Sequence, residues 1–236
     1  MGVSTGTALL AAGAAIGGLV LSPVLGMLVW RIPRAEPLLP FARCERPMTK
    51  RFPLFELGAA LLFGGVALRI GPHADAPAFL YLAAVGWVLV VIDVQVKRLP
   101  NALTYPSYPI GLALLGLAAA IDHRGHDFRR ALIGMVIFFA AYALLWLIYP
   151  AGLGLGDVKL AGVLGLYLGW IGWGAWSVGL IGGFMLGGLL SALLLAIRVV
   201  NRKSRIPFGP FMLGGALLAV LFGSALAKAY ISHSLS

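Results

Sequence analysis

Two aspartates stand at the ends of long apolar runs in a chain that has only 8 acidic residues among 236. Asp93 closes the run 87–94, and Asp157 follows the glycine-rich stretch 152–156. Acids inside apolar segments are costly to bury and therefore mark functional sites by default. A competing interpretation makes Asp93 a simple anchor at the membrane surface and Asp157 a helix N-cap.

Two carboxyl groups that share a site suit the hydrolysis of a peptide bond. One is ionised and takes a proton from water, while the other is protonated and polarises the scissile carbonyl. We predict Asp157 as the base and Asp93 as the acid, because a helix N-terminus favours a charged carboxylate. The single cysteine, Cys44, has no His near it in sequence, so it offers no competing nucleophile, disulfide or multi-cysteine metal site.

The glycines before Asp157 predict an unusual local backbone. Gly152, Gly154 and Gly156 alternate, which suits an extended or strained turn with close backbone approach. Irregular backbone at membrane depth survives only when it is buried in protein or lines a wet cavity. Lys159 follows two residues after the acid, where it either tunes that acid or marks the membrane face.

Composition predicts a polytopic membrane protein. Hydrophobic residues make up 61% of the chain and charged residues 11%, against roughly 25% charged in soluble domains. We interpret the net charge of +10 as basic loops beside anionic lipid, and not as a nucleic-acid surface. No charge precedes Arg31, so we expect the first apolar segment to be a retained transmembrane helix and not a signal peptide.

The hydropathy pattern predicts an all-α bundle of about eight transmembrane helices in a single domain, 1–236, with a catalytic core over 78–173. A basic, proline-rich loop, 31–53, separates the first two helices. The predicted helices cover residues 6–30, 54–70, 78–96, 102–121, 131–149, 157–172, 175–197 and 208–229.

The basic residues predict the orientation of the bundle. The loops 31–53, 97–101, 150–159 and 198–206 fall on one face and hold 13 of the 18 Lys and Arg residues. The richer face should be cytoplasmic. Asp93 and Asp157 then both lie at the cytoplasmic face, and both termini lie outside.

Five stretches in order resemble the type IV prepilin peptidases, a family of GxGD aspartic proteases. Gly-x-Gly-Asp alone would be weak, but five stretches together are specific, and they spread over most of the chain. They are Val29–Pro33, Phe52–Leu57, Ile92–Asp93 with Arg98–Asn101 and Leu103–Thr104, Gly154–Leu160, and Ile206–Phe211.

The resemblance implies cleavage of short basic leader peptides from prepilins or pseudopilins at the cytoplasmic face of the bacterial inner membrane, without metal or cofactor. Glu56, Glu45 and Glu36 are then candidates for contact with the basic leader. Longer members carry two Cys-x-x-Cys pairs in the first loop, where this chain keeps one cysteine and has Pro47 in place of its partner. We therefore expect no zinc in the loop and peptidase activity without methyl transfer.

Two other classes of function remain open at this point. A transporter could use the same two acids as a proton or cation relay, although only one glycine break is clear and both acids lie near one face. A non-catalytic component of a pilus or secretion machine is the third, and the intact pair of acids argues against it. The cluster Asp122, His123, His126 and Asp127 lies on the opposite face, and we expect no metal there.

Overall fold

The computed structural model describes residues 4–34, 53–148, 150, 153–197 and 207–234. These residues form eight α-helices and one turn of 3-10 helix, which confirms the all-α class. The elements are α1 (Thr5–Arg31), the 3-10 turn (Ile32–Arg34), α2 (Pro53–Ile70), α3 (Ala76–Val96), α4 (Asn101–Ile121), α5 (Gly125–Ile148), α6 (Leu155–Ile171), α7 (Trp173–Ala196) and α8 (Gly209–Ser234).

Within the described residues, five helices are long and apolar enough to cross a membrane. They are α1 with its 3-10 turn, α3, α4, α5 and α7. The helix α6 has 17 residues, fewer than the roughly 20 that a typical span uses. Several long apolar helices in one chain make it a multi-pass membrane protein.

Two boundaries differ from the sequence expectation in an informative way. The fifth helix begins at Gly125 and not near 131, because Asp127 in its first turn binds Arg124 and Arg130 and so holds these charges in helical register. The sixth and seventh helices are separate. They part at Gly172, whose φ of +151° is a backbone conformation that side-chain-bearing residues rarely adopt.

The chain divides into two compact units, Met1–Ile92 and Asp93–Ser236. In the first unit, α1 and α2 approach closely because Gly18 lies against the backbone of Ala59 and Ala60. The ring of Trp87 on α3 fills the space left by Gly58 and lies 5.5 Å from that of Phe55 on α2. The single domain and its catalytic core stay predictions.

In the second unit, α6 is the central helix, and nearly every residue from Asp157 to Trp170 is buried. Its glycines let α5 come close: a Cβ built on Gly134 would lie 2.8 Å from the carbonyl oxygen of Gly165. Gly169 faces Ala131 in the same way. Gly165 and Gly169 therefore allow the close packing of α5 against α6 that small residues give between membrane helices.

Candidate active site

Asp93 lies three residues before the last residue of α3, Val96, and belongs to the second unit. It is 4% exposed, and its Oδ2 accepts a hydrogen bond of 3.0 Å from the amide of Gly209, the first residue of α8. The helix ends just beyond it because Lys97 adopts a positive φ of 52°. A short connection through Pro100 then starts α4. The acid is thus buried and fixed by a backbone donor.

Asp157 lies in the first turn of α6 and is 8% exposed. Its Oδ2 accepts a hydrogen bond of 2.9 Å from the amide of Gly154. Gly154 is itself the N-cap residue, and Asp157 is the third residue of the helix, so the interpretation of Asp157 as an N-cap is wrong. The carboxylate instead reaches back to the cap, as the acid of a capping box does.

Leu99 connects the surroundings of the two acids. A Cβ built on Gly156 would lie 2.9 Å from Leu99 Cβ, and one built on Gly209 would lie 3.2 Å from Leu99 Cδ2. Leu99 therefore packs against both the residue before Asp157 and the residue that holds Asp93. The fold thus brings together the two aspartates that the sequence singled out.

Neither acid forms an ion pair within the part of the chain that the structure describes. Lys159 is the basic residue nearest to Asp157 in sequence, but its Nζ donates to Asn101 Oδ1 at 3.0 Å. The same ammonium lies 4.7 Å from the centre of the Tyr105 ring on α4. The ammonium group of Lys159 therefore interacts with α4 and not with Asp157. Neither Asp93 nor Asp157 is paired with a cation in the described part of the chain.

Aromatic rings cluster beside the residue that binds Asp93. Tyr142 on α5 is 1% exposed. Its ring stacks on Phe184 at 5.2 Å between centroids and lies 6.3 Å from that of Phe208, next to the Asp93-binding Gly209. The Phe138 ring also stacks with the Tyr142 ring, at 5.4 Å between centroids. This cluster gives the acids a largely apolar wall, in which electrostatic interactions are stronger than in water.

The remaining candidate residues fall in different places. Gly154 is the extended N-cap residue of α6, as the predicted turn requires, but Gly156 lies inside the first helical turn and not in an extended or strained turn, because α6 begins at Leu155. Glu56 lies half-buried in the first turn of α2, in the first unit. Glu36, Glu45 and Cys44 lie outside the described residues. Among the described residues, no group of three or more His, Cys, Asp or Glu side chains is arranged to hold a metal ion. The expectation of no metal at 122–127 stays a prediction.

Sequence reasoning missed three contributors to the site. Gly209 and Leu99 lie inside stretches that carry the family resemblance, so the motifs could have pointed to them, but no rule of residue type assigns a role to a backbone amide. Tyr142 is an ordinary aromatic residue in an apolar helix, and nothing in its local sequence distinguishes it from lipid-facing neighbours.

Comparison with known proteins agrees with this geometry. The model of the type IV leader peptidase family matches residues 80–231, which include Asp93, Asp157 and Gly209. A prepilin leader peptidase/N-methyltransferase of Aeromonas hydrophila is 32% identical over 193 residues, and the match covers 81% of this chain. Proteins of the same name from Pseudomonas aeruginosa and Stutzerimonas stutzeri are 31% and 30% identical, each over 80% of the chain.

These matches cover 65%, 64% and 64% of the three relatives, so the chain spans slightly less than two thirds of their length. No solved structure matches the chain. The family model covers well over half of the sequence, and it includes both halves of the site built above. The chain therefore belongs to the type IV leader peptidase family.

Proposed function

We propose that this protein is a membrane-embedded aspartic endopeptidase that removes the leader peptide from prepilins or pseudopilins, with Asp93 and Asp157 as its catalytic pair. One observation carries the proposal. Two buried carboxyl groups lie near helix ends, each accepts a hydrogen bond from a backbone amide, neither pairs with a cation, and Leu99 packs against the glycines beside both of them. Family membership supplies the substrate class, because the relatives are named for prepilin cleavage.

The pair can divide the proton transfers of peptide hydrolysis. The ionised acid takes a proton from water while the water oxygen bonds to the scissile carbonyl carbon. The protonated acid donates to the carbonyl oxygen, which gives a neutral tetrahedral intermediate. The acid that took the proton from water then gives it to the amide nitrogen, the C–N bond breaks, and the amine leaves. The other acid takes one hydroxyl proton from the intermediate, so the pair again holds one proton in its starting arrangement. Asp157 as the base and Asp93 as the acid stays a prediction.

Supporting roles follow from the contacts around the pair. Gly154 donates the amide that holds Asp157, and Gly156 leaves room for Leu99. Lys159 supports the site through its bond to Asn101. Glu56, Glu45 and Glu36 are proposed to bind the basic leader, since carboxylates attract Lys and Arg side chains.

We place the site at the cytoplasmic face of the bacterial inner membrane, with basic loops against anionic lipid. Cysteine labelling tests this orientation in a Cys44→Ser background. A cysteine at Lys203, which lies outside the described residues, should react only after permeabilisation. One at Asp122 should react in intact cells. Labelling of the Lys203 position in intact cells would remove the site from the substrate's side of the membrane.

We further propose that the protein cleaves without methylating the new N-terminus and binds no zinc. The basis is the loop 31–53, which has one cysteine and no His where a structural zinc site needs four ligands. Metal analysis of the purified protein should find no stoichiometric zinc. A methyl group added by this protein alone would contradict the proposal.

The direct test of the proposed function is cleavage of a purified prepilin by the protein reconstituted in lipid vesicles. Mass spectrometry should find the free leader and a pilin with an unmodified new N-terminus. A variant with both acids replaced by Asn is the matched control and should yield neither product. The comparisons give no support to the transporter alternative, which predicts proton flux through the vesicles and an intact prepilin.

A further inference from the structure

We infer that α4 carries a lock that holds the start of α6, and that Tyr108 and Gly162 are positioning residues for Asp157. The inference rests on the proposed function for its catalytic meaning. The lock consists of Asn101, Tyr105 and Tyr108 on α4 and of Lys159 and Gly162 on α6. None of these residues touches the reacting atoms in the mechanism above, so they act through the backbone that carries Asp157.

Three residues on one face of α4 contact a single residue of α6, Lys159. Asn101, Tyr105 and Tyr108 are spaced i, i+4 and i+7, so they share one face of the helix. Asn101 accepts a hydrogen bond from Lys159 Nζ at 3.0 Å, and Tyr105 lies 4.7 Å from the same ammonium. Tyr108 donates its hydroxyl to the carbonyl oxygen of Lys159 at 2.7 Å. Lys159 is therefore held at its side chain and its backbone together.

Gly162 makes the backbone contact possible. A Cβ built at this position would overlap the Tyr108 hydroxyl oxygen and lie 3.0 Å from Tyr108 Cζ. Any larger residue would push the tyrosine away from the Lys159 carbonyl. A glycine in a helix interior lowers stability by roughly 0.5–1 kcal/mol relative to Ala. We infer that Gly162 is present because a side chain there would collide with Tyr108.

The position of the lock explains why it bears on catalysis. Lys159 lies two residues after Asp157, and Asn101 starts the helix that follows the Asp93 connection. The lock therefore ties the segment after Asp157 to the segment after Asp93. At the α6 end, Gly154 and Gly156 have no side chains of their own to anchor the backbone. A shift of about 1 Å in a reacting group can cost on the order of 100-fold in rate.

Two substitutions separate positioning from folding. Tyr108→Phe removes one hydroxyl and keeps the ring, so we expect kcat to fall about tenfold with KM within about twofold of wild type. Gly162→Ala should lower kcat at least as much, because the methyl displaces the same hydroxyl. Adding Gly162→Ala to Tyr108→Phe should cost less than Gly162→Ala alone, since the nearest overlapping atom is gone.

A glycine in open space provides the matched control. Gly188 lies in the interior of α7 with nothing within 4 Å of a built Cβ, so Gly188→Ala should leave kcat unchanged. Amide hydrogen exchange of residues 153–163 provides a readout independent of activity. Exchange in this segment should be faster in Tyr108→Phe than in wild type, and unchanged in Gly188→Ala.

Each outcome decides the inference separately from the proposed function. Faster exchange with a lower kcat and a steady KM supports the lock and its positioning role. Faster exchange with an unchanged kcat overturns the positioning role. Unchanged exchange in Tyr108→Phe overturns the lock itself, whatever the activity. If wild-type protein fails to cleave prepilin, the proposed function falls, and exchange still decides whether α4 holds α6.

Discussion

The two ends of α6 are held by different means. At the C-terminal end, Arg130 donates to the carbonyl oxygens of Gly169 and Trp170 at 2.7 and 2.6 Å. Asp127 pairs with Arg130 at 2.9 Å and with Arg124 at 2.7 Å, so the charges there are matched. At the N-terminal end, Asp157 accepts a hydrogen bond from the backbone amide of Gly154, and Lys159 binds Asn101 on α4.

The contrast separates an acid used for stability from an acid available for chemistry. A carboxylate tied to two guanidinium groups, such as Asp127, cannot take a proton from water without breaking both ion pairs. A carboxylate held by one backbone amide keeps its remaining lone pairs free for water or substrate. Burying a carboxyl group without a cation costs folding free energy. Groups in such environments cluster at functional sites, which is the role proposed for Asp157.

Gly209→Ala should have the largest effect among the residues that surround the acids. A Cβ at this position would lie 2.7 Å from Asp93 Oδ2, so the carboxyl group or the start of α8 must move. We expect kcat to fall on the order of 100-fold or more, since misplacing a catalytic group is that costly. Prepilin cleavage under single-turnover conditions measures the effect.

The matched control for this variant is Gly214→Ala, also on α8. Its nearest neighbour would be Leu186 Cδ1 at 3.4 Å, an ordinary van der Waals distance. This variant should cleave at the wild-type rate. Equal activity of both alanine variants would show that cleavage does not depend on the close approach of Asp93 to Gly209.

Arg130→Met removes the contacts that hold the C-terminal end of α6. It should lower the stability of the fold without changing the rate of cleavage. The substitution removes two hydrogen bonds to helix carbonyls and leaves Asp127 with one fewer partner. We expect the protein to lose about 3 kcal/mol of unfolding free energy, while kcat per folded molecule stays at the wild-type value. Denaturant unfolding in detergent micelles, with cleavage assayed well below the transition, checks both. The adjacent, exposed Arg129 gives the control Arg129→Met, which should change neither.

Arg124→Met should have the smallest effect. Arg124 is 35% exposed at its side chain, pairs with Asp127 and covers the Trp170 ring at 4.6 Å. Exposed ion pairs contribute less than about 1 kcal/mol and weaken with salt. The loss should therefore be a small fraction of that in Arg130→Met and should shrink further at high ionic strength. If Arg124→Met lost as much unfolding free energy as Arg130→Met, the ion pairs at this end of α6 would have to act cooperatively, which contradicts the prediction.

Much of this arrangement could be predicted from sequence because membrane proteins obey strong composition rules. Long apolar runs must form helices, since lipid offers the backbone no hydrogen bonds. Acids are rare in such runs, so Asp93 and Asp157 stood out by type alone. Two predicted helices lie between the two aspartates in sequence, so both aspartates were expected at the same face of the membrane.

The contacts that hold the acids could not be predicted, for a physical reason. Gly209 acts through its amide, which every residue except proline has, so residue type says nothing about it. Tyr108 acts through its reach to a carbonyl 51 positions away in sequence. The earlier start of α5 was missed because Asp127 stabilises the first turn through ion pairs that hydropathy does not record.

The central claim is that Asp93 and Asp157 work as one unit. The most direct measurement is the single-turnover cleavage rate of a purified prepilin by Asp93→Asn, by Asp157→Asn and by the double variant, beside Asp122→Asn from the exposed opposite loop as a control. Neither remaining acid can serve both proton transfers, so each single variant should be as inactive as the double, and the control should match wild type. Cleavage by either single variant at near the wild-type rate would contradict the account.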